Sequence, residues 1–358
     1  MYSAHEIKAV HLEVTSKCNA RCPMCLHTVC GGEDNPNLPM TELALVDIQK
    51  ILPPVFVQQI DRLYMCGNYG DPIAAKETLE IFKYLRNENP KIHLMMFTNG
   101  SARPESWWRQ LADVVDTVRF AIDGLEDTNH LYRQGTHWAT IMRNIKSYIA
   151  AGGRAEWDFI VFRHNEHQIE TARELSRELG FKKFQAKKTG RFFSNTQSQV
   201  KDEQIVQNLK GEVTHVLQTT TKPEYKNQAL LKEQELIDKY GSLERYLDQT
   251  PIECKVAKEK SVYVSAEGLV FPCCWVGNQL YPWYFEKQGG PVWKQLKDLP
   301  EKEKTLDGRS QGIAAVIEGD YFQKILPASW TCNSLKEGKL KVCSKTCGTE
   351  FDPFRSQF

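Results

Sequence analysis

Short apolar runs alternate with amphipathic stretches through the first half of the chain. Residues 9–15 read as a strand, and a helical stretch follows at 41–51. A strand over 61–65 precedes helical spacing over 76–86, and one over 92–97 precedes a Trp-rich helix. A strand over 118–122 is followed by a helix over 140–150. The fifth strand, 157–162, leads into a helix over 168–179 that stops at Gly180, the residue best able to close a helix in a left-handed conformation. A sixth strand begins at 184–187. Six strands alternating with helices predict a parallel α/β sheet, and in such sheets ligands bind at the C-terminal ends of the strands. The Cys-rich loop, Gly67-Asn68-Tyr69-Gly70-Asp71-Pro72, Thr98-Asn99-Gly100 and Ile122-Asp123-Gly124 all follow strands. A site is expected there.

The pattern changes after residue 194. Residues 195–250 are polar and rich in Lys, Glu and Gln, and read as a helical connector or lid. Residues 261–272 read as a hairpin, two β-rich runs around Ala266-Glu267-Gly268. Residues 277–330 read as loop and short helix. The organisation expected is therefore a core over 1–194, a connector over 195–250 and a small Cys-rich unit over 251–358.

A chain of 358 residues can bury a core large enough for a barrel plus a smaller module. Lys and Arg (46) nearly balance Asp and Glu (45), so no overall charge draws the chain to nucleic acid or anionic lipid. A local basic patch (Lys182, Lys183, Lys187, Lys188, Arg191) reads as a solvated strand end. No charged leader with an apolar stretch opens the sequence and no run is long enough to span a membrane, so a cytoplasmic protein is expected. Stable disulfides are uncommon there, and eleven cysteines need another explanation. Nine of them fall into two groups, one over 18–25 and one in the last third, with Cys30 and Cys66 apart, which points to metal.

Cys18, Cys22 and Cys25 place three thiols within eight residues. Thiolates suit zinc or an iron–sulfur cluster. Structural zinc wants four ligands; three would leave one iron of a 4Fe–4S cluster open to a small chelating molecule. The chain here resembles the radical S-adenosylmethionine (SAM) superfamily, whose signature is Cys-x3-Cys-x2-Cys after the first barrel strand. Gly67, Tyr69, Gly70, Asp71 and Pro72 lie in a loop that resembles the family's Gly-Gly-Glu-Pro motif for the SAM amino group, with aspartate shortening the contact. Asp123 belongs to a segment resembling Ser-Ile-Asp-Gly, with Ala121 where the serine often stands. Thr98 and Asn99 match a frequent Thr-Asn-Gly strand ending, and Asn165 an Asn that often precedes the next helix.

The resemblance implies a partial (β/α)6 barrel that binds a 4Fe–4S cluster and SAM. Reductive cleavage of SAM would give a 5′-deoxyadenosyl radical that takes hydrogen from a substrate, with flavodoxin or ferredoxin as reductant. Cys254-x18-Cys273, with Gly268 between them, is similar to the opening of the SPASM and twitch auxiliary-cluster modules. The full SPASM cysteine run is absent, so four ligands for one cluster fit better: Cys254, Cys273, Cys343 and Cys347, with Cys274 and Cys332 as substitutes. Zinc is the alternative occupant. A fully ligated cluster would transfer electrons.

Cys66 precedes the 67–72 loop and reads either as a buried structural thiol or as a hydrogen donor, as in some related epimerases. Asp158, Arg163, Lys187 and Arg191 read as strand-end polar residues or substrate contacts, and Tyr132-Arg133 resembles a pair common in SPASM relatives. The histidines show no metal-ligand spacing. The first barrel strand is entered by about residue 9, whereas dedicated peptide-modifying members often begin with a leader-binding domain. The expected substrate is accordingly a small molecule, or a peptide delivered by another protein. The competing readings are a non-catalytic binding protein stabilised by a metal or cluster, and an RNA-modifying enzyme.

Overall fold

The computed structural model describes residues 1–194, 199–227, 229–297 and 302–350. Residues 195–198, at the head of the expected connector, and 351–358, at the end of the expected Cys-rich unit, lie outside the described residues. Six parallel strands run side by side in chain order: β1 (Ala9–Leu12), β2 (Arg62–Met65), β3 (His93–Thr98), β4 (Thr117–Ala121), β5 (Ala155–Ile160) and β6 (Lys183–Lys187). The connections carry helices, among them Leu45–Ile51, Thr78–Glu88, Glu105–Ala112, Trp138–Ala150 and Ile169–Leu179. This is the partial TIM-type (β/α)6 arrangement the sequence predicts.

Period-two alternation sorts the strands' side chains onto two faces. Val10, Leu12, Leu63, Met65, Leu94, Met96, Val118, Phe120, Trp157 and Phe159 are all buried in the main core. The opposite face carries a polar and aromatic row. His11 stacks on Tyr64 at 4.6 Å, Tyr64 meets Phe97 edge-on at 6.2 Å, and Arg119 lies 5.3 Å over Phe97. Arg119 then pairs with Glu156 (2.8 Å), and Lys187 with Asp158 (2.6 Å). Gly180 ends its helix with φ +88, the left-handed cap its position predicts.

The expected hairpin forms as β11 (Ser261–Val264) and β12 (Val270–Phe271), paired antiparallel at Tyr263↔Phe271. It does not stand apart from the barrel. β11 lies parallel to β1, in register Ala9↔Ser261 to Leu12↔Val264, and gives one sheet of order β12-β11-β1-β2-β3-β4-β5-β6.

The connector differs from the expectation of helix. Its first half holds the short strand β8 (Gln199–Val200), paired with β7 (Phe193–Ser194) just before the connector, and a longer antiparallel hairpin, β9 (Glu203–Gln207) with β10 (Val213–Gln218). Helices Ala229–Tyr240 and Leu243–Gln249 follow. The hairpin escapes a sequence reading because few of its apolar residues are buried: Val206 and Leu217 reach the buried cluster of Cys22, Tyr132 and Phe162, while Ile205, Val213 and Val216 face outward. Among the described residues no helix is long and apolar enough to cross a membrane.

Candidate active site

The chain leaves β1 into a loop that brings Cys18, Cys22 and Cys25 to the C-terminal end of the sheet. A turn closes with the Cys25 N–H donating to the Cys22 carbonyl at 3.0 Å. The Ala20 N–H points at the Cys18 sulfur (3.3 Å), the Asn99 amide lies 4.0 Å from it, and an Arg133 guanidinium nitrogen is 3.7 Å from the Cys22 sulfur. Burial raises the pKa of both Cys18 and Cys22; Asp71 adds to the rise at Cys18 and Arg133 opposes it at Cys22. Thiolates become stable in such a place when a metal replaces the lost solvation, so the donor set and its surroundings fit a thiolate-held metal group. Among the described residues no three His, Cys, Asp or Glu side chains converge on one ion. The thiols of a cluster each hold a different iron and need not converge.

The 67–72 loop is pressed onto this Cys loop. A Cβ at Gly70 would sit 2.0 Å from the Thr15 carbonyl oxygen, and one at Gly67 would sit 1.8 Å from that of Gly70. Only glycine permits that approach. The Asp71 carboxylate caps the turn Pro72–Ala74 by accepting from Ile73 N–H (3.1 Å) and also accepts from Asn99 N–H (2.7 Å), while its own N–H donates to Lys17 (2.9 Å). Asn99 in turn donates to the Asn19 side chain at 2.9 Å, and Thr98 accepts from Gly100 N–H at 3.1 Å.

A buried ion pair closes the β4 side. Asp123 accepts from Arg133 Nε and from Ile160 N–H, each at 2.6 Å. Burial pushes the Asp123 carboxyl up and Arg133 pulls against it. Asn165 accepts from Phe162 N–H (2.7 Å) and gives both amide hydrogens to the Asp123 and Ile160 carbonyls (2.9 Å each), fastening the ends of β4 and β5. Arg191 reaches the Met24 carbonyl (3.4 Å) and the Tyr132 hydroxyl (3.3 Å).

The fold also brings C-terminal thiols together. Cys254, Cys273, Cys343 and Cys347 all line one small cavity whose walls are otherwise mostly apolar, with Trp275 and Trp330 among them. The Cys254 thiol is raised first by a hydrogen bond with Cys347 and then by burial; burial leads the rise at Cys273 and Cys343. Two donors here lack an oxygen or nitrogen acceptor, the Trp330 indole N–H and the Tyr321 hydroxyl. The indole faces the Cys343 sulfur, and Tyr321 feels Cys343 and Cys273. Buried thiols with an indole N–H facing one sulfur suit a metal–thiolate group. Neither Cys274 nor Cys332 lines the cavity. Cys274 lies in the field of Cys66 and Glu13, and Cys332 contacts the Ala328 carbonyl at 3.5 Å.

Two contributors escape the sequence reading, and a third, Arg133, is named there without a role. Glu13 is fully buried, and burial pushes its carboxyl up to about 7; it accepts from the Tyr69 N–H (2.7 Å), the Gly70 N–H (3.1 Å) and the Tyr263 hydroxyl. A lone acid inside an apolar strand was its signal. Asn68 sits between candidate residues, and its side chain donates to the Cys274 carbonyl at 3.0 Å. Arg133 gains its role through Asp123 and Cys22, which spacing alone does not reveal. Cys66 is held beside this network: His11 donates to its carbonyl, and burial, with Glu13 and Asp71, pushes its thiol up to about 12.

Residues 12–175 match the sequence family described as the radical SAM superfamily. FeMo cofactor biosynthesis protein NifB of Klebsiella pneumoniae is 29% identical over 130 residues, which cover 34% of this chain and 27% of that protein. The match thus spans about a quarter of the relative. The structure of anSMEcpe with bound AdoMet superposes with a TM-score of 0.52 at 13% identity, covering 93% of this chain and 85% of that one. Streptococcus suis SuiB bound to precursor peptide SuiA gives 0.50 at 14% identity, covering 94% and 76%. These two likenesses concern the fold. The family match covers the strands that carry the Cys18 loop and its neighbours, so residues 12–175 are those that match the radical SAM superfamily.

Proposed function

We propose that this chain is an enzyme that cleaves SAM reductively and directs the resulting radical at an unactivated carbon of its substrate. The observation that carries the reading is the junction of the two loops: three cysteines stand after β1, and the 67–72 backbone lies against them with no room for a side chain at Gly70. Cys18, Cys22 and Cys25 would hold a 4Fe–4S cluster that, when bound, supplies the electron for SAM cleavage to methionine and a 5′-deoxyadenosyl radical.

The protein's own residues position and shield. Gly67, Tyr69, Gly70 and Pro72 present backbone to the methionine end of SAM. Asp71, Thr98, Asn99, Asp123 and Asn165 have partners within the protein and act by keeping that loop in register with the ends of β3, β4 and β5. Cys66 stays a neutral thiol, the form a hydrogen-atom donor needs. The cavity of Cys254, Cys273, Cys343 and Cys347 would hold a second 4Fe–4S cluster. With every iron ligated by protein it would pass electrons: accepting the one left on a substrate radical would give a net oxidation or an oxidative bond formation, whereas a hydrogen atom returned by a thiol would give an epimerisation.

The substrate is a small molecule or a peptide, and SuiB, which shares the fold, binds its precursor peptide SuiA. The electron donor is a flavodoxin- or ferredoxin-like protein. The test is iron and sulfide content after anaerobic reconstitution, with a dithionite-driven assay for 5′-deoxyadenosine. About eight irons per chain, about four in a Cys18/Cys22/Cys25→Ala variant, and SAM cleavage in the wild type alone are expected. Zinc in place of iron, or no cleavage by fully loaded protein, would overturn the reading.

A further inference from the structure

Asn68 touches the Cys18 loop on one side and, on the other, the residue next to the C-terminal thiol cavity. Its carbonyl oxygen is 3.8 Å from the Cys25 sulfur, and its side-chain Nδ2 donates to the Cys274 carbonyl at 3.0 Å. Cys274 is joined by one peptide bond to Cys273, whose thiol lines the C-terminal cavity. From the Cys25 sulfur to the Cys273 sulfur there is consequently a route of covalent bonds interrupted by a single van der Waals contact and a single hydrogen bond. Electrons tunnel far more readily along bonds and hydrogen bonds than across open gaps.

The fold holds the route taut. The 67–72 loop cannot swing, because Glu13 grips the Tyr69 and Gly70 N–H groups and Tyr263 grips Glu13 from the neighbouring strand β11. On the other side Asn35 donates to the Tyr281 carbonyl (2.7 Å) and Asn37 to the Pro282 carbonyl (2.9 Å), docking the end of the Cys loop onto the C-terminal segment. The two thiol sites are thereby fixed relative to each other from both flanks.

We propose that Asn68 is the bridge through which the two cluster sites exchange electrons, an inference that rests on the two-cluster reading above. One electron moves at a time: the site that releases it is oxidised by one and the site that receives it is reduced by one. Asn68 gains and loses neither electron nor proton. The electron comes from a one-electron reductant, in the test a flash-reduced deazaflavin. Asn68 is a positioning residue and needs no contact with SAM or substrate for this role.

The test uses the full chain, reconstituted anaerobically and free of SAM. A light flash delivers less than one electron per chain, and freeze-quenched EPR follows how fast the signals of the two sites reach their final ratio. Asn68→Asp keeps the side chain's shape but turns an N–H donor into a carboxylate facing a carbonyl oxygen. It should slow equilibration roughly tenfold or more, because a small displacement at such a contact has a large kinetic effect. Asn68→Gln, which can re-form the hydrogen bond, should recover part of the rate, and both site signals should keep their individual line shapes. Should the aspartate variant lose iron, Asn68→Ala supplies the same comparison. Equally fast equilibration in an iron-replete Asn68→Asp or Asn68→Ala protein overturns the bridge and leaves the two clusters standing. A wild type that loads only about four irons, unaffected by Cys254→Ser, removes the second site and the inference with it.

Discussion

Glu13 Oε1 accepts the backbone N–H of Tyr69 at 2.7 Å, so a buried carboxyl group just after β1 is what holds the 67–72 loop against the Cys loop. Burial lifts this group from 4.5 to about 7, against the pull of its hydrogen bonds. Below about pH 4.5 the folded and unfolded chains both carry the proton. As pH rises from there through 7 the unfolded chain ionises first, and stability falls by on the order of 3 kcal/mol. Glu13→Gln should remove that fall. Denaturant unfolding of wild type and variant at several pH values tests it; curves that stay parallel between pH 4.5 and 7 would discard this account.

The Arg133–Asp123 pair makes a different demand. Arg133→Met leaves the Asp123 carboxylate buried without a counter-charge, which should cost about 3–5 kcal/mol. Adding Asp123→Asn should return most of it, since the pair then vanishes together. A double variant as unstable as the single one would mean that the hydrogen bond to Ile160 N–H matters more than the charge.

The geometry of the C-terminal cavity separates six cysteines into four and two. Serine at Cys254, Cys273, Cys343 or Cys347 should each lower iron content by about four per chain, on the two-cluster reading. Cys274→Ser and Cys332→Ser should leave it unchanged, because neither residue lines the cavity. Loss of iron from either of these last two would reassign a ligand.

Cys66→Ser tests the hydrogen-donor role. An alcohol O–H gives up a hydrogen atom far less readily than a thiol S–H. The variant should still form 5′-deoxyadenosine with substrate present, while the hydrogen-restored product is lost. Full product yield from Cys66→Ser would make this thiol structural.

Much of the fold was open to reading because it rests on local signals. Each of β1 to β5 is a short run with apolar residues followed by helical spacing, and Gly180 marks its own cap. The β9–β10 hairpin was not, since Val206 and Leu217 bury themselves against Cys22, Tyr132 and Phe162, partners far off in the chain. The three-cysteine loop and the glycines at 67 and 70 declare themselves by spacing and residue type. Glu13 and Asn68 do not: one acts through Tyr263 and the other through Cys274, and only the folded chain brings them together. Likewise, which four of the six C-terminal cysteines share a cavity depends on how the helix Lys341–Cys347 packs, something spacing leaves open.

The pairing of β11 with β1 has a consequence for synthesis. The Tyr263–Glu13 contact joins residues 250 apart in sequence, and β1 waits for most of the chain to emerge before its second neighbour arrives. Contacts of that range form late and slowly. Until then the β1 edge lies unpaired beside three exposed thiols, a species prone to misassembly and oxidation. A nascent chain stalled short of residue 261 should depend on chaperones and on a reducing, iron-supplying partner, and be far shorter-lived than the finished protein.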